Sequence, residues 1–211
     1  STASTWAAGS IPPTASDIPA SAIINVRHTV AYNTGNPIKN RGEIRIQPTT
    51  GTTARLTVPT GINVETFSTG KFYVNNASFI QCRFTTCNNG EPYSGNNPGA
   101  PIQAGTFKNI GGLNDVRNST IEIAQDWTNE SGGTRIIIDS CVRTGQNFSL
   151  SSASSTDTIT RTQISVGWHN SGNFEHNDGT ATYQQMAVQL AGTGGNFKLN
   201  SGTANGDIDT I

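Results

Sequence analysis

Gly172-Asn173-Phe174 runs on to Gly179-Thr180-Ala181, and Gly195-Asn196-Phe197 runs on to Gly202-Thr203-Ala204. The second block is the first shifted by 23 residues, and Val166 and Val188 lead the two blocks at nearly the same offset. Asn147-Phe148, preceded by Gly145, is a diverged earlier copy 26 residues ahead of Asn173-Phe174. A period in the low twenties matches one coil of a β-solenoid, whose coils stack at about 4.8 Å. In such a stack Phe148, Phe174 and Phe197 form an aromatic ladder inside, and Asn147, Asn173 and Asn196 form an amide ladder at a turn. A hairpin meander with chance similarity between its turns is the competing reading.

Outward from this repeat, helix signals fade and short β-type runs recur. Ala22 to Val30, Glu43 to Ile46, Arg55 to Val58, Lys71 to Val74, Phe79 to Phe84, Thr120 to Ile123, Thr134 to Ile138 and Met186 to Leu190 are examples. Asn-Gly, Gly-Gly, Thr-Gly and Ser-Gly pairs stand between such runs, the residues that turns with positive φ prefer. Ile24 and Val26, Ile44 and Ile46, then Ile62 and Val64 recur at intervals of 20 and 18. The fold class that follows is all-β, a single-stranded parallel β-helix with coils of about 20–23 residues. That period predicts nine or ten coils and a rod of about 40–45 Å.

The 211-residue length is enough for a substantial core. Charged residues make up only 13% of the chain, about half the usual share, yet the regular Ile, Val and Phe argue against disorder. A net charge of −1, with no Lys/Arg cluster, gives no basis for binding nucleic acid. Apolar runs such as Ile136 to Ile138 are too short for membrane insertion.

Two segments break the pattern. Residues 1–20 hold Trp6, Pro12 and Pro13 and are expected to cap the solenoid, which then occupies 21–211. Asn88 to Pro101, reading NNGEPYSGNNPGAP, is expected to be a long loop carrying Tyr93. The opening Ser4-Thr5-Trp6-Ala7-Ala8-Gly9-Ser10-Ile11-Pro12-Pro13, with Asp17, Ile23-Ile24-Asn25-Val26 and His28-Thr29-Val30, resembles the start of secreted β-helical surface proteins of the Bacteroidetes. Arg27 stands where those proteins carry Gly before the His, and Pro19 interrupts the strand's approach. The resemblance covers about the first 30 residues closely. It implies a right-handed β-helix, an extracellular or cell-surface location and an adhesive or structural role, and it transfers no catalytic residue.

No catalytic, metal or cofactor motif is recognisable. The best enzymatic constellation pairs Asp139 with Arg143 and Asp157 with Arg161, each spaced by four and offset by 18, as for a polysaccharide lyase or hydrolase. Stacked surface ion pairs explain the same residues better. His169, Glu175 and His176 lack a third convergent metal ligand. Tyr93, Trp127 and Trp168 are the candidate sugar platforms. Cys82 and Cys87 are close enough to bridge if the chain turns between them, which leaves Cys141 over; buried unpaired thiols in a β core are the equal alternative.

The final Asp207-Ile208-Asp209-Thr210-Ile211 reads as a strand without a polar cap. Ile208 and Ile211, with Trp6 at the other end, are therefore the expected assembly edges for head-to-tail self-association or for a larger cell-surface assembly. The functional expectation is a secreted, non-enzymatic structural or adhesive solenoid. A carbohydrate-binding or polysaccharide-degrading β-helix is the alternative.

Overall fold

A computed structural model describes residues 17–32, 35–58, 61–80, 105–168, 171–191 and 194–210. The first coil is built from β1 (Asp17–Ile18), β2 (Ile23–Val26) and β3 (Thr29–Ala31), and the second from β4 (Ile38–Asn40), β5 (Glu43–Ile46) and β6 (Arg55–Thr57). The third holds β7 (Val64–Phe67), β8 (Lys71–Asn75) and β9 (Ser78–Ile80), and the fourth β10 (Phe107–Ile110), β11 (Leu113–Arg117) and β12 (Thr120–Ile123). Then come β13 (Trp127–Glu130), β14 (Thr134–Ile138) and β15 (Cys141–Thr144), followed by β16 (Phe148–Leu150), β17 (Thr156–Thr160) and β18 (Gln163–Val166). The last coils hold β19 (Phe174–His176), β20 (Thr180–Leu190), β21 (Phe197–Leu199) and β22 (Thr203–Thr210).

This is a right-handed parallel β-helix of about seven coils, all-β among the described residues. The first strand of each coil joins an eight-stranded sheet, β1-β4-β7-β10-β13-β16-β19-β21. The second and third strands form two limbs of a larger sheet, and the limbs meet in the unbroken β20. Successive coils are offset by 22 residues at Asp17↔Lys39, 26 at Ile38↔Val64 and 20 at Phe107↔Trp127. The offset is 43 at Val64↔Phe107, a step that contains residues 81–104, outside the described ones. Fewer coils than the nine or ten expected follow from that long step and from the 26-residue ones.

Between the two limbs, from the third coil to the seventh, the chain turns through one left-handed residue per coil. Asn76, Asn118, Asp139, Arg161 and Gln185 occupy this corner at φ 48°, 47°, 50°, 46° and 51°. The residue that follows ties the coils together. Ser119 Oγ donates to the carbonyl of Arg117 (2.6 Å) and accepts from the amide of Ala77 (3.1 Å). Ser140 Oγ donates to Ile138 O and accepts from Ser119 N, and Thr162 Oγ1 donates to Thr160 O and accepts from Ser140 N. Each hydroxyl thus satisfies a corner carbonyl and the amide of the coil before it.

The glycines of the repeat have the same origin. Gly179 and Gly202 sit at φ 93° and 85°, and a Cβ on Gly202 would run into the carbonyl oxygen of Gly179. Backbone rides on backbone at this turn, so only glycine fits.

Inside, Phe148, Phe174 and Phe197 stack face to face at 5.5 and 5.0 Å with rings within 11° and 4° of parallel. Trp127 and Phe107 extend the column upward at 5.5 and 5.1 Å. Asn173 N donates to Asn147 Oδ1 and Asn196 N to Asn173 Oδ1, at 2.8 and 3.0 Å, while Asp126 Oδ1 accepts from Asn147 N one coil earlier. Burial of such an aromatic ladder, at roughly 1.5–3 kcal/mol per fully buried large apolar side chain, helps hold coil on coil together with the buried Ile, Val and Leu of the core.

The expected cap falls mostly outside the described residues, and from Asp17 the chain already pairs with β4. The expected loop at 88–101, with Tyr93, lies wholly outside them, as do Trp6 and Ile211. Ile208 is half-buried on β22, opposite Met186.

Candidate functional face

The outer surface of the limb formed by β2, β5, β8, β11, β14, β17, β20 and β22 divides into two halves of different chemistry. Strand alternation sends Phe72, Val74, Val116, Ile137 and Ile159 inward, where each is 0% exposed, and sends their neighbours out. On β5, β8 and β11 the outward residues are Glu43, Arg45, Lys71, Tyr73, Asn75, Leu113, Asp115 and Arg117. On β14, β17, β20 and β22 they include Thr134, Ile136, Thr156, Thr158, Thr180, Thr182, Thr203 and Asn205, with Ile138, Thr160 and Gln184 as a third column beside the corner.

The charged half holds a groove of about 300 Å³ lined by Glu43, Arg45, Gln47, Tyr73, Asn75, Asp115 and Arg117. Tyr73 lies between Arg45 and Asp115 in register. Arg117 grips Asp115 through Nε–Oδ1 at 2.8 Å and Nη2–Oδ2 at 3.2 Å, and Arg45 Nε donates to Glu43. Those hydrogen bonds, with the charge of each partner, raise both guanidinium pKa values above the ordinary range. Two planar ion pairs therefore frame one half-buried phenol ring. A second groove, about 470 Å³, runs along the corner and is lined by hydroxyls and amides with Arg55.

The residues expected to carry chemistry sit elsewhere. Asp157 is 2% exposed and faces inward, where Arg135, also buried, binds it through Nη2–Oδ2 at 2.5 Å and Nε–Oδ1 at 3.1 Å. The Arg135 guanidinium stands 3.7 Å over the Phe148 ring and 5.2 Å from that of Trp127, and it also donates to the carbonyls of Ser149 and Trp127. Asn129 Nδ2 adds a third hydrogen bond to Asp157 at 2.7 Å, and its Oδ1 accepts from Asn109. Asp139 is exposed and pairs with Arg161 at 2.5 and 2.7 Å. The hydrogen bond from Arg161 lowers the Asp139 pKa, and its charge adds to the effect. The constellation of Asp139, Arg143, Asp157 and Arg161 therefore does not assemble, because ion pairs form across coils 22 residues apart and on opposite faces of the wall.

Trp127 is 0% exposed in the aromatic column, which removes it as a sugar platform. Trp168 packs on Ala124 with the Arg143 guanidinium 4.7 Å over its ring. Tyr93 and His169 lie outside the described residues. His176 is buried against Gly179 O and the Tyr183 hydroxyl, at 3.3 and 3.4 Å, while Glu175 faces outward to Asn173, Asn177 and Lys198. Among the described residues no three His, Cys, Asp or Glu side chains gather as for a metal ion.

Cys141 on β15 is disulfide-bonded. The chain has two other cysteines, Cys82 and Cys87, both outside the described residues.

Sequence reasoning missed Tyr73 and its two ion pairs. The signal was the alternation in Lys71-Phe72-Tyr73-Val74, which places Phe72 inside and Tyr73 outside. No protein-family model, curated protein or solved structure matches the chain.

Proposed function

We propose that the chain is a non-enzymatic adhesive β-solenoid of the cell exterior that holds polysaccharide in the Tyr73 groove. The observation that carries this reading is the ring itself. Tyr73 is a half-buried aromatic on a parallel sheet, flanked by the Arg45–Glu43 and Arg117–Asp115 pairs. Sugar rings stack on such a face through their C–H edges and take hydrogen bonds from the flanking groups. The regular rise of the coils repeats polar groups along the groove, as a polymer of sugars repeats its hydroxyls. The disulfide at Cys141 supports an oxidising compartment and hence the exterior.

Glycan-array binding followed by titration of Tyr73→Ala tests the reading. Binding that drops about tenfold or more in the variant, the loss of one stacked aromatic at about 1.4 kcal/mol or above, is the expected outcome. An array without signal from folded protein, or affinity unchanged by Tyr73→Ala, would count against it.

A further inference from the structure

The uncharged half of the same face is built of different side chains. Parallel pairing sets Thr134, Thr156, Thr180 and Thr203 in one column and Ile136, Thr158, Thr182 and Asn205 in the next. Six of these eight positions are threonine, and none bears a charge. Apart from the partly covered Thr134 and Ile136, all of them are exposed. Columns stand about 6.6 Å apart along each strand, and coils about 4.8 Å apart along the axis. Register holds without a shift through all four coils, and the bulge of β22 falls beyond Tyr183. The nearest charge is Asp115, in register beside Ile136 at the edge of the charged half and held by Arg117, while Asp139 and Arg161 pair with each other at the corner.

Threonine suits any strand, so its presence alone carries nothing. What carries weight is a two-dimensional net of hydroxyl and methyl groups held at fixed spacing. Only a ligand that itself repeats in two dimensions can engage all of it at once. Behind the net, Arg135 and Asp157 project inward from the same strands and clamp two adjacent coils together, so little ordering is left to be done on binding.

We infer that this face binds a crystalline, uncharged hydrogen-bonding surface, namely ice. The net approximates the oxygen spacing on a prism face of hexagonal ice, the hydroxyls can take places in that lattice, and the methyls exclude disordered water between them. A charged side chain would hold its own hydration shell and break the match, which fits the absence of charge here. Crystalline polysaccharide is the less favoured occupant, because the rows contain no aromatic platform.

The test is ice shaping and thermal hysteresis of the full chain, with Thr158→Tyr and Thr182→Tyr as variants and circular dichroism to confirm their fold. Wild-type protein should shape ice crystals and depress their growth temperature, and each variant should lose most of that activity. Tyr73→Ala should leave it intact, which separates this inference from the glycan reading. Folded wild-type protein that leaves ice unshaped overturns the inference, whatever the variants do. Tyrosine variants that fold and act as wild type also overturn it. So does variant-sensitive binding to microcrystalline cellulose or chitin without ice shaping.

Discussion

Arg135 and Asp157 stand 22 residues apart in the chain and side by side in space, buried in the wall between two coils. Taking both charges out of water is costly, and the pair persists because every lobe is used: two bonds between them, two backbone carbonyls, Asn129, and two aromatic faces. Removing one partner leaves the other charged and alone. Arg135→Leu should therefore cost about 3–5 kcal/mol in urea unfolding, whereas Arg135→Leu with Asp157→Val should recover most of the loss. A double variant no more stable than the single would show that packing, not charge, holds this wall. The pairing was hard to read in sequence because spacing by four, which matters on a helix, was applied to residues that meet by coil. The useful offset was the coil length itself, and both Arg135–Asp157 and Asp139–Arg161 obey it. Trp127 was misplaced for a related reason. Its register with Phe107 and Phe148 is visible only once the 20- and 21-residue coils are counted.

At the level of elements, the repeat was the part most open to reading. Its glycines, asparagines and phenylalanines fall in register, Phe174 on Phe197 and Thr180 on Thr203, because stacking of like on like is what made them recur. The corner was not legible, since its left-handed residues share a backbone conformation and no side-chain type. Asn118 tolerates φ 47° well and a β-branched residue does not. Asn118→Val should lower stability by about 1–2 kcal/mol, read from the denaturant midpoint, while Asn118→Gly should stay within about 1 kcal/mol of wild type. Equal midpoints for the Val variant and wild type would mean that the corner can relax. The limb that carries the functional face was half legible. Inside and outside follow from alternation, but which outer residues become neighbours depends on coil lengths that vary from 20 to 43.

For the whole molecule, proton uptake sets a stability plateau. Burial pushes Glu175 upward, but hydrogen bonds from Asn177, Lys198 and Asn173 outweigh it and hold the carboxyl below its ordinary value, and Asp139 is lowered by Arg161. Both contributions are present above the unfolded values, near 4.3 and 3.9, and fade as pH falls through the folded ones. Tyr183 moves the other way. Burial, and then the charge of Asp157, raise its hydroxyl pKa. Its contribution is complete below about pH 10 and is lost as the pH rises beyond. The part of the unfolding free energy carried by these three groups should thus be flat between about pH 5 and 9 and fall on either side. Glu175→Gln should soften the acid limb and Tyr183→Phe the alkaline one, and limbs unchanged in both variants would rule out these groups. The corner hydroxyls and side-chain ladders add links between coils, yet every strand lies across the axis, so all interstrand hydrogen bonds point along it. A pull on the two ends of the rod would then load those bonds one coil at a time, in the manner of a zip. Each ordinary coil of 20–26 residues would release about 70–90 Å of chain. A tether built this way lengthens under force and absorbs work before it lets go.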